Sequence, residues 1–508
     1  MKGILKENRK YLMLLFIIIS LTFLFGCGGV TPTDYTITST DGIGGSIDPE
    51  GVINVSEGGD QTFTINPLDC YQIADVLVDG VSVGAVSTYI FEDIQIDHTI
   101  HVIFVVPGPR AHNNTTGVDY TTIQAAINAA LAGDTIIVCP WTYVENIEFD
   151  GKDITVRSID ISDPAVVAAT IIDGGGSGSV VRFYRGDTSI LGGFTIRNGN
   201  AYSGGGIDVI ESSPTIAGNT ITGNTADGGG GINVVYYSDP TITGNTIEAN
   251  QADYGGGIYV DSSSPTLTGN TITGNDADYG GGIHIYYYSD PSITGNTIED
   301  NEAIYGGGIS VTDNSFPIIS ENTINENGAV GSGGGIYVTD NSFPIISENT
   351  INENGAVSLG GGIYLNGSDS TIEDNTINDN IASFGGGIYM YGYSDPLIED
   401  NIINDNKASS QGGGIYVTNY SYPTIKDNII NDNKAIRDGG GIYVSNNSDL
   451  LPATVRPTGW GSGREDIPTG VPLNPAESAA YIIAGNELLG NLHESIPAYT
   501  EGAHVFFQ

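Results

Sequence analysis

Two columns of carboxylates recur at near-fixed spacing in the second half of this chain. One comprises Glu321, Glu348, Asp374, Asp400 and Asp427, and the other Asp300, Glu326, Glu353, Asp379, Asp405 and Asp432. Rows of hard oxygen donors suit Ca²⁺, which makes it a candidate ligand. Without it, like charges ~5 Å apart in water repel by ~0.8 kcal/mol per pair, and the columns read as a solvated acidic face. A third column is aromatic: Tyr259, Tyr337, Tyr364, Tyr389, Tyr416 and Tyr443 follow an inward isoleucine and point outward. Such rings either stack on one another or offer a platform to the C–H faces of sugars. Trp460, in a later insertion, is a further candidate ligand contact. Inverting glycoside hydrolysis needs only carboxylates ~6.5–9.5 Å apart, so Glu373 with Asp374 and Glu399 with Asp400 are candidate pairs.

The formal charge of −44 excludes nucleic acid as a partner. No Lys or Arg occurs between Asn198 and Asn406, so chemistry in that stretch proceeds without a fixed cation. Arg182, Arg185 and Asp187 form the best early cluster, with a solvated turn as the plainer reading. The six His are scattered in no zinc-binding spacing. No catalytic motif stands out.

The columns arise from a repeat. A Gly-Gly-Gly-Ile signature places isoleucines at Ile207, Ile232, Ile258, Ile283, Ile309, Ile336, Ile363, Ile388, Ile415 and Ile442, spaced 25 to 27 residues apart. On the same period run Pro-x-Ile and Asn-x-Ile-x-x-Asn, and residues 311–330 are repeated without change at 338–357. Glycine triplets and β-branched residues exclude helices. Three short strands per unit, separated by Gly, Asn, Asp and Ser turns, predict an all-β, right-handed parallel β-helix with coils of ~26 residues and stacked coils ~4.8 Å apart. Inward isoleucines form ladders, the asparagines at turns form amide ladders, and the Gly triplet supplies positive φ at a sharp corner.

Upstream, Thr122 to Ala130 predicts an amphipathic helix that caps the first coil. With Gly133-Asp134-Thr135-Ile136, Tyr143 to Ile147 and Gly193 to Gly199, this region resembles the pectin-lyase-like right-handed β-helix superfamily over residues 119–508. The glycine repeats also resemble those of polymorphic outer-membrane proteins, although the Phe-x-x-Asn motif of that family is replaced here. The superfamily resemblance implies a polysaccharide lyase or glycoside hydrolase as one function, but neither the lyase nor the methylesterase catalytic pattern is present. Residues 450–480 interrupt the last coils as either a cap or a binding loop.

Residues 1–26 read as a signal peptide, and Gly26-Cys27 resembles the bacterial lipobox, implying lipidation of Cys27, a membrane anchor and an outer-membrane or surface location. A tether (27–34) leads to a small all-β module (35–106) that resembles the internalin-type B-repeat, and 107–118 reads as a linker. Cys70 and Cys139 fall in different segments, and Cys139 is expected as a free, buried thiol. The functional expectation is a lipid-anchored β-helix for binding or adhesion, with carbohydrate as ligand; the alternative is a polysaccharide-cleaving enzyme. A cation beside carboxylates in a groove favours the enzyme, and an ungrooved tyrosine face favours binding.

Overall fold

The structure, a computed structural model, describes residues 34–445, 487–489, 492–493 and 505–507. Cys27, Trp460 and the 450–480 insertion lie outside the described residues. The chain divides into two compact units, 1–105 and 106–508. In the first, two antiparallel-rich sheets of five and three strands enclose Ile37, Phe63, Val76, Ile100 and Val102. The strand His98–Val105 alternates, burying every second side chain against this core.

The second unit is the predicted parallel β-solenoid. Three sheets carry 14, 13 and 13 strands among the described residues, with successive coils paired in parallel. The first holds the Pro-x-Ile strands (Thr241–Thr243), the second the Asn-x-Ile strands (Thr246–Glu248), and the third the Gly-Gly-Gly-Ile strands (Ile258–Asp261). Their isoleucines are aligned coil to coil, as Ile232 with Ile258 and Ile258 with Ile283, and are fully buried in one continuous core. Each is removed from water on both sides by its own kind, a burial that contributes about 1.5–3 kcal/mol per side chain.

A fourth sheet was not anticipated. Short strands such as Asp276–Tyr279 and Glu302–Tyr305 precede the glycine triplets and pair in parallel. Their alanines, from Ala226 to Ala435, are buried. This strand explains the triplet better than a turn alone. Only its first glycine has positive φ, as at Gly255 (64°). At Gly256 a Cβ would sit 2.6 Å from the Asp276 carbonyl oxygen, and at Gly257 2.5 Å from that of Gly282. Two of the three glycines are therefore required by the backbone of the next coil rather than by conformation.

Asparagine ladders line both corners of the second sheet. Asn270 donates from its backbone N–H and from Nδ2 to Oδ1 of Asn296, at 2.9 and 3.0 Å, and also to the Ile242 carbonyl. Asn275 repeats the pattern on Asn301. A serine ladder, not anticipated, closes the corner after the third sheet, where the N–H of Ser238 donates to Oγ of Ser263 and that of Ser263 to Ser289.

The cap is a helix over Ile123–Ala129, N-capped by Thr122, with Ile123, Ala126 and Ile127 buried against the first coil. The segment read as a linker contributes structure: Ala111–Asn113 and Val118–Tyr120 join the first sheet antiparallel and cover its edge. At the other end, Glu487–Leu489, Leu492–His493 and Val505–Phe507 each add a parallel strand to the solenoid sheets. The free-thiol expectation is overturned, since Cys139 is disulfide-bonded, as is Cys70.

Candidate functional site

The residues facing out of the third sheet form one row in register: Arg182, Asp208, Asn233, Tyr259, His284, Ser310, Tyr337, Tyr364, Tyr389, Tyr416 and Tyr443. Five residues before each member from Asp208 to Tyr416, across the glycine corner, stands a residue of the fourth-sheet row: Ser203, Gly228, Tyr254, Tyr279, Tyr305, Ser332, Leu359, Phe384 and Gln411. The two rows pack against each other, and from Tyr254 to Phe384 at least one member of each facing pair is bulky, which compensates for a small one opposite. Where the third sheet offers Ser310 or His284, the partner row supplies Tyr305 or Tyr279. Where the third sheet offers Tyr337, the partner is Ser332.

This packing decides the fate of the tyrosine column. Tyr364, Tyr389, Tyr416 and Tyr443 are buried and form a small second core with Tyr337, Leu359 and Phe384. Their rings stack face to face, Tyr337 on Tyr364 at 5.0 Å and 4°, and Tyr364 on Tyr389 at 5.6 Å and 6°. Burial pushes the Tyr364 hydroxyl up to about 12, and those of Tyr259, Tyr337 and Tyr389 are raised for the same reason. The column does point away from the isoleucine core, but most of its ring faces are occupied by one another.

Compensation fails in two coils. Asp208 faces Ser203 and Asn233 faces Gly228, small residues on both sides, and a groove of 650 Å³ opens there. Its floor holds Arg182, Asp208, Asn233, Tyr259 and Asp261, and its rim holds Tyr202, Asp227, Tyr236, Asp253 and Tyr254. Tyr202 is 81% exposed and Tyr236 56%. The side chain of Asp208 is only 2% exposed; Asn233 donates from Nδ2 to its Oδ1 at 2.8 Å, and Arg182 Nε lies 3.4 Å from Oδ2. Arg182 also reaches Glu148, with Nη1 3.5 Å from Oε1. Burial raises the Asp208 carboxyl above the usual carboxylate range, against the opposing pull of Asn233 and Arg182. Asp261 is raised by burial as well, although Ser262 Oγ donates to it at 2.7 Å. One cation among several carboxylates, walled by tyrosines, can hold a polar ring compound by stacking and hydrogen bonds.

The remaining sequence candidates do not converge here. Arg185 pairs with Asp150 at 2.7 Å and lies over the Tyr184 ring, while Asp187 is buried and accepts from the Tyr184 N–H, so the early cluster is split. The two acidic columns sit at the corners immediately before the asparagines. Glu321, Glu348, Asp374, Asp400 and Asp427 have φ of 56–57°, and Asp300, Glu326, Glu353, Asp379, Asp405 and Asp432 of 52–55°. In earlier coils the same positions are Gly218, Gly244, Gly269 and Gly274. The carboxylates thus stand at left-handed turn residues, exposed except for half-buried Asp379. Among the described residues, no group of three or more Asp, Glu, His or Cys side chains is disposed to hold a metal ion. Glu373 and Glu399 lie on a strand and Asp374 and Asp400 in the following turn, and Lys426 pairs with Glu399.

The groove escaped the sequence reading, although a signal was present: the aromatic column breaks at Asp208 and Asn233, and the residues five positions earlier are Ser203 and Gly228.

Comparison with known proteins agrees with this architecture. The family model described as right handed beta helix region matches residues 145–280, 253–360 and 333–456. No curated protein and no solved structure matched the chain. With coils, ladders and corners as described, and with these matches spanning most of the solenoid, the chain belongs to the right-handed β-helix family.

Proposed function

We propose that this protein binds carbohydrate in the groove between the third and fourth sheets. The observation that carries the reading is the failure of row compensation at Asp208 and Asn233, which leaves a cleft edged by Tyr202, Tyr236 and Tyr254. Aromatic faces complement the C–H faces of pyranoses, and Asn233, Arg182, Asp227 and Asp253 offer hydrogen-bond partners for hydroxyls. Adhesion to a glycan surface is the corresponding role, and export with a lipid anchor on Cys27 remains part of the proposal, resting on the leader residues alone. Calorimetric titration with a panel of neutral and acidic oligosaccharides tests it. Micromolar or tighter binding that is lost in Gly228→Tyr supports the groove, and absence of binding across the panel refutes it.

A second reading, cleavage of the bound glycan, is favoured by one feature: Arg182 stands beside Asp208 in a groove, and both Asp208 and Asp261 are raised by burial. Binding ranks first because the Asp208 carboxylate is enclosed and tied to Asn233. Reducing-end and unsaturated-product assays separate the two. Turnover abolished in Asp208→Asn or Asp261→Asn, with affinity retained, would establish the enzyme.

A further inference from the structure

The corner after the third sheet carries tyrosines in a backbone conformation that does not favour them. Tyr236, Tyr237, Tyr287, Tyr288, Tyr393 and Tyr420 all have positive φ, between 47° and 64°. A bulky residue in this left-handed region is an outlier. The same corner in other coils uses Asp313 with Asn314, Asp340 with Asn341, and Gly367, residues suited to it. Turn chemistry therefore does not account for the tyrosines. Backbone strain of this kind concentrates where side chains meet ligands.

These rings are also among the exposed aromatics of the solenoid. Tyr237 is 86% exposed, Tyr288 59%, and Tyr393 46%. The corners stack: the N–H of Tyr237 donates to the Ser262 carbonyl, that of Ser262 to Tyr287, and that of Tyr393 to Asn419. Tyr393 and Tyr420 lie parallel at 5.4 Å and 14°. Seven coil-to-coil pairings separate Tyr236 from Tyr420, about 34 Å along the axis at ~4.8 Å each, and four of the eight coils in that span carry tyrosine at the corner.

We propose that this tyrosine ridge is a second binding surface, a track on which a linear, uncharged polysaccharide lies parallel to the solenoid axis. The inference rests on the carbohydrate reading of the groove and extends it to the polymer. Three properties select the occupant. The advance per coil is close to the rise of one pyranose along an extended glycan, so rings of a polymer meet tyrosines at multiples of the coil step. The exposed carboxylates of Asp239, Asp290 and Asp395 follow the corners, each holding one oxygen on a backbone N–H of a neighbouring coil, and they accept hydrogen bonds from hydroxyls. With no Lys or Arg from residue 199 to 405, the carboxylates of these coils are uncompensated and repel a polyuronate or sulfated chain.

The test uses the full chain with Tyr237→Asn, Tyr287→Asn, Tyr288→Asn and Tyr393→Asn combined, none of which lines the groove, and Asn314 and Asn341 show that the corner accepts asparagine. Retention on amorphous cellulose and on chitin is measured, with polygalacturonate as the anionic comparison. Expected are retention of the wild type on an uncharged polymer, about ten-fold weaker retention of the variant, unchanged titration by a short oligosaccharide in the groove, and a Tm at or above wild type because the strain is relieved. Equal retention of both proteins overturns the proposal, as does preference for polygalacturonate. Self-association of the wild type that disappears in the variant, without polymer binding, also overturns it and assigns the ridge to a second copy. Groove and ridge fail separately: loss of oligosaccharide binding in Gly228→Tyr with equal polymer retention by the ridge variant sinks only the ridge. Polymer retention that depends on the ridge, with no oligosaccharide bound anywhere, sinks only the groove.

Discussion

Asn233 and Asp208 occupy the same place in successive coils, and the amide of one donates to the buried carboxylate of the other at 2.8 Å. Across the corner the backbone comes close enough that a Cβ on Gly204 would lie 2.7 Å from the Asp208 Cα. The pair thus stands in a row that is otherwise mostly aromatic, and it defines the floor of the groove.

Because burial raises the Asp208 carboxyl, its ionised form destabilises the fold above the ordinary carboxylate pKa. Stability from this group is full below that value and is lost as pH rises through the raised one. Asp208→Asn removes the charge and keeps the shape. Denaturant melts at pH 7 are expected to show a stability equal to or up to about 1 kcal/mol above wild type, while groove binding falls.

Gly228→Tyr should close the groove without unfolding the coil. Gly228 shares its row with Tyr254, and a Cβ there meets nothing nearer than Tyr259 at 3.4 Å. The expected result is a Tm within a few degrees of wild type and oligosaccharide affinity reduced by at least about ten-fold. Full affinity in this variant would place the ligand elsewhere.

His284 stands in the buried row between Tyr259 and Ser310, and burial lowers its pKa from 6.5 to about 3. The unfolded chain takes up that proton more readily, so the stability conferred by neutral His284 is present above pH 6.5 and is lost progressively as pH falls toward 3. Melts from pH 7 to pH 4 should show an acid slope that is shallower in His284→Ser. An identical slope in the two proteins would count against the buried, neutral imidazole.

Asn296→Ala removes one rung of an amide ladder. The N–H and Nδ2 of Asn270 lose their shared acceptor, and the Leu267 carbonyl loses a donor. Each buried polar group left unpaired costs about 1–3 kcal/mol, so a loss of at least ~3 kcal/mol is expected. Hydrogen exchange should show it first in the coils that hold Asn270 and Asn322.

The acidic columns offer exposed turn residues rather than a converging ligand set. Thermal melts in chelator and in millimolar Ca²⁺ are expected to coincide within about 1 °C. An upward shift in Ca²⁺ would show that the rows bind the ion between coils.

The period of the fold was legible because one coil spacing recurs in every ladder: a column such as Ile232, Ile258 and Ile283 in the text is a row of contacts in space. The outward direction of Tyr364 was legible for the same reason, through strand alternation. Its burial was not. Burial depends on Leu359, which reaches it only because the strand before the glycine corner folds back beside the third sheet, and nothing in a 26-residue period announces that fourth strand. The groove is one step further removed, since it is an absence shared by two rows. Likewise, the Gly triplet looked like a bend, but the requirement at Gly256 and Gly257 comes from carbonyls of the following coil.

The ladders that bind coil to coil are nearly blind to which coil they join. Asn322 would accept Asn375 as readily as Asn349, and the two identical segments at 311–330 and 338–357 are interchangeable partners for their neighbours. A chain built this way can close one coil out of frame during folding and still satisfy most of its hydrogen bonds. The elements that break this equivalence are the capping helix and the Asp208–Asn233 pair with its glycine opposite. The residues that shape the groove are therefore also among the few features that distinguish one coil from the next.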